Sequence, residues 1–150
     1  MIRSKAQGPI DGVDFCGARA ASATPEVDTA IKTAAAIVIG PSNPVISIGP
    51  ILAVSGVREA LKDTQAPVVG VSPFVRGQVV KGPTETFMAF TKQPKTTDGI
   101  AAIYDGLLDG IVADERASRL PTFETDVLMD TPQARERLAR ETLNFALSLG

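Results

Sequence analysis

The sequence predicts an α/β domain built on an open, mainly parallel sheet with flanking helices. Three features carry that reading. Residues 36–39, 67–72 and 110–113 are short, almost wholly apolar runs, the pattern of strands buried on both faces of a parallel sheet. Segments with apolar residues at helical spacing lie between them. Strand and helix then alternate along the chain, which is the mark of crossover connections.

Residues 1–12 are polar, contain Gly8, Pro9 and Gly12, and are expected to be loose, while 13–16 read as a short strand. A helix is expected over 25–35, with Thr24 as N-cap, Pro25 in its first turn and Val27, Ile31 and Ala34 on one face. The first strand, 36–39, is followed by a helical turn over 50–53 and, after Gly56, by a helix over 57–62. The strand at 67–72 ends in a Ser72-Pro73 turn. A short strand at 79–80, a helix over 84–90 and a polar loop over 92–97 come next. In 98–108, Ile100, Ile103, Tyr104 and Leu107 share one helical face. The strand at 110–113 stops at Asp114, and a fourth is expected over 123–127. The last helix runs over 132–149, capped by Thr131, opened by Pro132 and followed by Gly150. Its stripe is Leu138, Phe145 and Leu149, joined by Ala134 and Thr142, and its charges Arg135, Glu136, Arg137, Arg140 and Glu141 read as the wet face.

Composition narrows the chemistry. A chain of 150 residues with 44% hydrophobic and 21% charged residues fits one domain, 1–150, around a single core. A net charge of −2 gives no basic surface for nucleic acid. The single Cys16, expected to be a small buried residue, excludes an internal disulfide, and with no histidine the usual zinc and triad residues are missing. Whatever the chain does must use carboxylates, Lys and Arg, hydroxyls, amides or backbone. No apolar run reaches the roughly 20 residues of a membrane span, and residues 1–8 lack the apolar core of a signal peptide, so a cytoplasmic protein is expected.

The most informative segment is Ile39-Gly40-Pro41-Ser42-Asn43-Pro44-Val45-Ile46-Ser47-Ile48-Gly49-Pro50. A buried strand stops at Gly-Pro-Ser-Asn-Pro, which neither continues a strand nor starts a regular helix. Rossmann-like open sheets hold ligands where a strand ends in such a loop before a helix. Glycine lets backbone come close, Ser and Asn offer short donors, and a helix start offers N–H groups to an anion. On turn chemistry alone the loop also fits a rigid turn. Asp114 fits an N-cap or a loop salt bridge better than a metal ligand, and Arg76 fits a surface charge.

The blocks Gly40-Pro41-Ser42-Asn43-Pro44, Ser47-Ile48-Gly49-Pro50-Ile51-Leu52, Gly56-Val57-Arg58-Glu59-Ala60-Leu61, Ala66-Pro67-Val68-Val69, Val71-Ser72-Pro73 and Lys81-Gly82-Pro83 together resemble the 2-phospho-L-lactate transferase family, which builds the deazaflavin coenzyme F-420. Tyr104, Gly110-Ile111-Val112-Ala113-Asp114, Asp126-Val127-Leu128-Met129, Ala134-Arg135 and Leu138-Ala139 extend the likeness, which runs from about residue 13 to residue 147. Only the C-terminal half of the family's chain is represented. The N-terminal half of such proteins begins with a Gly-rich strand–loop–helix and carries acidic residues, and no segment here looks like it. A fragment, a split gene product or a displaced start is therefore expected.

The resemblance implies transfer of a phospholactyl or phosphoenolpyruvyl group from a guanosine diphosphate ester of a three-carbon acid to the hydroxyl of a deazaflavin, releasing GMP. Such chemistry is positioning plus neutralisation of spreading charge, aided by Mg²⁺. It implies nucleotide and phosphate contacts from Gly40, Pro41, Ser42, Asn43, Pro44, Ser47, Ile48, Gly49, Ser72 and Lys81. No catalytic base and no metal ligand is identified, and the missing half is expected to supply the magnesium carboxylates. The chain is expected to form a homodimer or to need an N-terminal half, because a half-sheet leaves an edge open. The other reading is a catalytically inactive nucleotide-binding or assembly module that keeps the GDP loop.

Overall fold

The computed structural model describes residues 10–79 and 83–150. In chain order it contains α1 (Pro25–Thr33), β1 (Ile37–Ile39), a π-helical turn (Pro44–Ile48), α2 (Gly49–Leu52) and α3 (Val57–Asp63). Then come β2 (Val68–Val71), β3 (Phe74–Val75), β4 (Gln78–Val79), α4 (Thr84–Thr91) and α5 (Thr97–Ile103). The chain closes with β5 (Gly110–Ala113), β6 (Thr122–Glu124) and α6 (Pro132–Leu147). The main sheet has four strands, all parallel, in the order β1-β2-β5-β6. This is the expected Rossmann-like α/β arrangement. No described helix is long and apolar enough to cross a membrane.

The strands alternate their side chains between two cores, as the two-residue period requires. On one face Ile39, Val68 and Ile111 pack with Val57 and Leu61 of α3, Met88 of α4 and Ile100 of α5. On the other, Val69, Val71 and Val112 pack under Leu138 and Ala146 of α6. Each such side chain taken out of water contributes about 1.5–3 kcal/mol. The central strands β2 and β5 are buried at every residue, whereas β1, at the edge, leaves Val38 exposed. The strand order advances in one direction, so the described sheet contains no reversal of its winding.

Several sequence expectations shift. Residues 13–16 do not form a strand, because among the described residues no neighbouring strand pairs with them; Phe15 O instead accepts from Ala18 N and starts a turn. Cys16 is exposed rather than buried. Of the segment 1–12, residues 1–9 lie outside the described residues, and 10–12 have no regular structure. The helix expected over 98–108 ends at Ile103, because Gly106 adopts a left-handed φ of 70° and Leu107 N turns back to Tyr104 O at 2.9 Å. Tyr104 and Leu107 still reach the core predicted by the spacing. The last strand is Thr122–Glu124, and Val127 beyond it is buried in the α6 core. Arg137 and Glu141 do not belong to the wet face of α6. They are half-buried and clamp the chain after β6, leaving Arg135, Glu136 and Arg140 to fit that reading.

Candidate functional site

Because the sheet is parallel, the segments after Ile39, Val71, Ala113 and Glu124 all emerge at one edge, where open α/β sheets bind ligands. The Gly40–Pro44 stretch therefore neighbours Ser72, as expected. Asn43 organises it. The residue is 9% exposed, its Oδ1 accepts from Val45 N at 2.9 Å and Ile46 N at 3.0 Å, and its Nδ2 donates to Thr84 Oγ1 at 3.2 Å. Ser47 N and Ile48 N both donate to Asn43 O. Pro44 has no N–H, so the first turn of the π-helix is fully satisfied and offers no free donor to an anion. The sequence expectation of donors at this helix start gives way to a different one. The Thr84 end of α4 has no side-chain cap, and Asn43 binds it to the loop.

The other expected residues divide by exposure. Ser42 and Ser47 are exposed, and among the described residues their hydroxyls have no protein partner. Gly40 is open, with nothing within 4 Å of a Cβ placed there. Pro41 and Ile48 are half-buried, and Pro44 is buried. A Cβ on Gly49 would lie 2.9 Å from the Phe15 ring, so its missing side chain makes room for packing. Ser72 is 1% exposed; its N donates to Val112 O at 2.8 Å and its Oγ accepts from Phe74 N at 3.2 Å. Lys81 lies outside the described residues. Of the expected residues that are described, those turned to solvent at this edge are thus Ser42, Ser47 and the backbone of Gly40.

The family described as 2-phospho-L-lactate transferase CofD matches residues 1–143. The chain belongs to this family. The 2-phospho-L-lactate transferase of Methanospirillum hungatei is 46% identical over 81% of this chain and 41% of its own length. That of Halobacterium salinarum is 41% identical over 87% of this chain and 39% of its own. The phosphoenolpyruvate transferase of Mycobacterium ulcerans is 34% identical over 97% of this chain and 47% of its own. The chain spans about half the length of the curated relatives it matches.

In this CofD-family chain the same sheet edge continues into a cavity of about 670 Å³ beyond β5 and β6. Asp114, Glu115, Glu124, Thr125 and Asp126 line it, with Arg76 and Lys95. Excess carboxylate makes it unfavourable for a diphosphate, which leaves the loop side for an anion. Its wall is held from α6. Arg137 Nη1 donates to Thr125 Oγ1 at 2.8 Å and to Glu141 Oε2 at 2.6 Å, Thr125 Oγ1 donates to Glu141 Oε2 at 2.8 Å, and Arg137 Nη2 donates to Asp126 O. Composition gives no hint of this clamp, although the Arg-x-x-x-Glu spacing shows that the two side chains can meet. Among the described residues no group of three or more His, Cys, Asp or Glu could hold a metal ion.

Proposed function

We propose that this chain supplies the nucleotide side of a transferase in coenzyme F-420 biosynthesis. The donor is a guanosine diphosphate ester of lactate or enolpyruvate, and the acceptor is the terminal hydroxyl of a deazaflavin. The acceptor oxygen forms a bond to the phosphorus nearer the three-carbon acid. The bond from that phosphorus to the bridging oxygen breaks, GMP leaves with the oxygen, and the hydroxyl proton passes to solvent or to the leaving phosphate. The observation that carries this reading is the Gly40–Pro44 loop: in a chain of this family it ends an edge strand at the carboxyl side of a parallel sheet. It keeps Ser42, Ser47 and Gly40 free for a ligand, while Asn43 gives the loop its shape.

Among the described residues no group of three or more His, Cys, Asp or Glu comes together to hold a metal ion. A polypeptide corresponding to the N-terminal half of the relatives would bring the magnesium carboxylates and cover the open edge of β1. The test mixes the purified chain with the N-terminal half of the M. hungatei relative, the lactyl and enolpyruvyl donors, and deazaflavin. Release of GMP with a phosphorylated deazaflavin is expected. GDP affinity of the chain alone should weaken in Ser42→Ala. GDP binding without turnover in the mixture would favour an inactive nucleotide-binding module, and no GDP binding at all would reject both readings.

A further inference from the structure

The turn of the β3–β4 hairpin is made by Arg76 and Gly77, both with positive φ, 53° and 71°. Such primed two-residue turns match the twist of the flanking strands and favour Asn, Asp or Gly at the first position. Arginine there crowds its Cβ against the following carbonyl, so surrounding contacts must hold it in place. Asp114 provides one: its Oδ2 accepts the Arg76 N–H. Asp114 follows the last residue of β5, so the bond ties the hairpin tip to the sheet edge. Ser72 makes a second tie at the hairpin root, accepting from Phe74 N at 3.2 Å. Beyond β4 the chain continues through Val80, Lys81, Gly82 and Pro83 into α4, whose Thr84 is bonded to Asn43.

We propose that Asp114 is a positioning residue. Through the Arg76 N–H its carboxylate fixes the β3–β4 hairpin across the carboxyl edge of the sheet. It thereby holds in place the hairpin that precedes α4, whose Thr84 is bonded to Asn43 of the nucleotide loop. The residue acts as a hydrogen-bond acceptor and touches no reacting atom. The effect on nucleotide affinity rests on the function proposed above; the anchoring of the hairpin does not.

The test compares Asp114→Ala, Asp114→Asn, Arg76→Gly and the Asp114→Ala/Arg76→Gly pair. Hydrogen exchange of the hairpin amides needs no ligand, and calorimetric titration with GDP reads the loop. Asp114→Ala should speed exchange of the Arg76 amide and weaken GDP affinity about tenfold, the loss of one charge-assisted hydrogen bond. Asp114→Asn keeps an acceptor oxygen and should stay within about twofold of wild type. Arg76→Gly relieves the turn and, in the Asp114→Ala background, should restore GDP affinity and protection of the cross-strand hairpin amides, while the amide at position 76 stays without its acceptor. A metal ligand or catalytic base would not be rescued this way. Unchanged exchange in Asp114→Ala, a failing Asp114→Asn or an absent rescue would each overturn the proposal. If Asp114→Ala does not fold, Arg76→Gly alone decides: it should raise hairpin protection, and a fall overturns the anchor. If wild type binds no GDP, the nucleotide reading fails while exchange still decides the anchor.

Discussion

Replacing Asn43 with alanine removes three hydrogen bonds at one stroke, to Val45 N, Ile46 N and Thr84 Oγ1. Loss of a helix cap costs about 1 kcal/mol, loss of a buried side-chain hydrogen bond about 1 kcal/mol, and leaving the N–H of buried Val45 unpaired about 1 kcal/mol more. The expected loss is therefore about 3 kcal/mol. At roughly 2–4 °C per kcal/mol for a chain of this size, thermal unfolding by circular dichroism should shift down by about 6–12 °C. Thr84→Val removes only the Asn43–Thr84 bond and should cost about 1 kcal/mol. The double variant should fall short of the sum of the two by a similar coupling energy. A midpoint for Asn43→Ala within about 2 °C of wild type would refute the capping role, as would strict additivity with Thr84→Val.

Three further outcomes are expected. Gly99→Ala should unfold the chain or cost more than about 4 kcal/mol, because its Cβ would sit 1.9 Å from Pro94 O; a soluble variant with wild-type denaturant midpoint would contradict the packing. Thr142 is buried in α6 and among the described residues its Oγ1 lacks a partner, so Thr142→Val should raise the melting temperature by a few degrees; a lower one would show that the hydroxyl is satisfied. Burial raises the Tyr104 hydroxyl above its ordinary value of 10.0, so the folded state holds that proton more tightly than the unfolded chain. Its contribution to stability is complete below pH 10 and falls as pH rises beyond it. Tyr104 is the sole tyrosine, so ultraviolet absorbance reports it alone; tyrosinate should appear only with unfolding, and a reversible titration near pH 10 in folded protein would count against this.

Much of the frame is legible in the sequence because burial on both sides writes an apolar run directly, as at Val68–Val71 and Gly110–Ala113. Helix starts at Thr24, Thr96 and Thr131 each use a side-chain cap; two were readable from the Thr-Pro pairs that begin α1 and α6. The π-helical turn is harder to read, since it depends on Asn43 turning inward to Thr84, distant in sequence. Residues 13–16 show the reverse problem: a strand-like alternation remains unpaired among the described residues, and local pattern cannot supply a neighbour. At the site, exposure of Ser42 agrees with a loop that can donate, but Asp114 and Arg137 acquire their roles only from tertiary contacts with Arg76 and Thr125. Charge alone marks such residues as surface.

The passage from β5 to β6 has no helix; residues 114–121 make the crossing by themselves. Parallel neighbours ordinarily need a long crossover, and the other two pairs here have one: Ile37 reaches Val68, and Val69 reaches Gly110. Ile111 meets Thr122 after a loop roughly threefold shorter, which lowers the entropy of closure by about 1 kcal/mol. During folding the β5–β6 seam should therefore zip first and offer a template for β2, with β1 added last. Pulse-labelled hydrogen exchange would show Ile111 and Ala113 protected before Ile37 and Ile39, and the opposite order would place the nucleus at the other edge of the sheet.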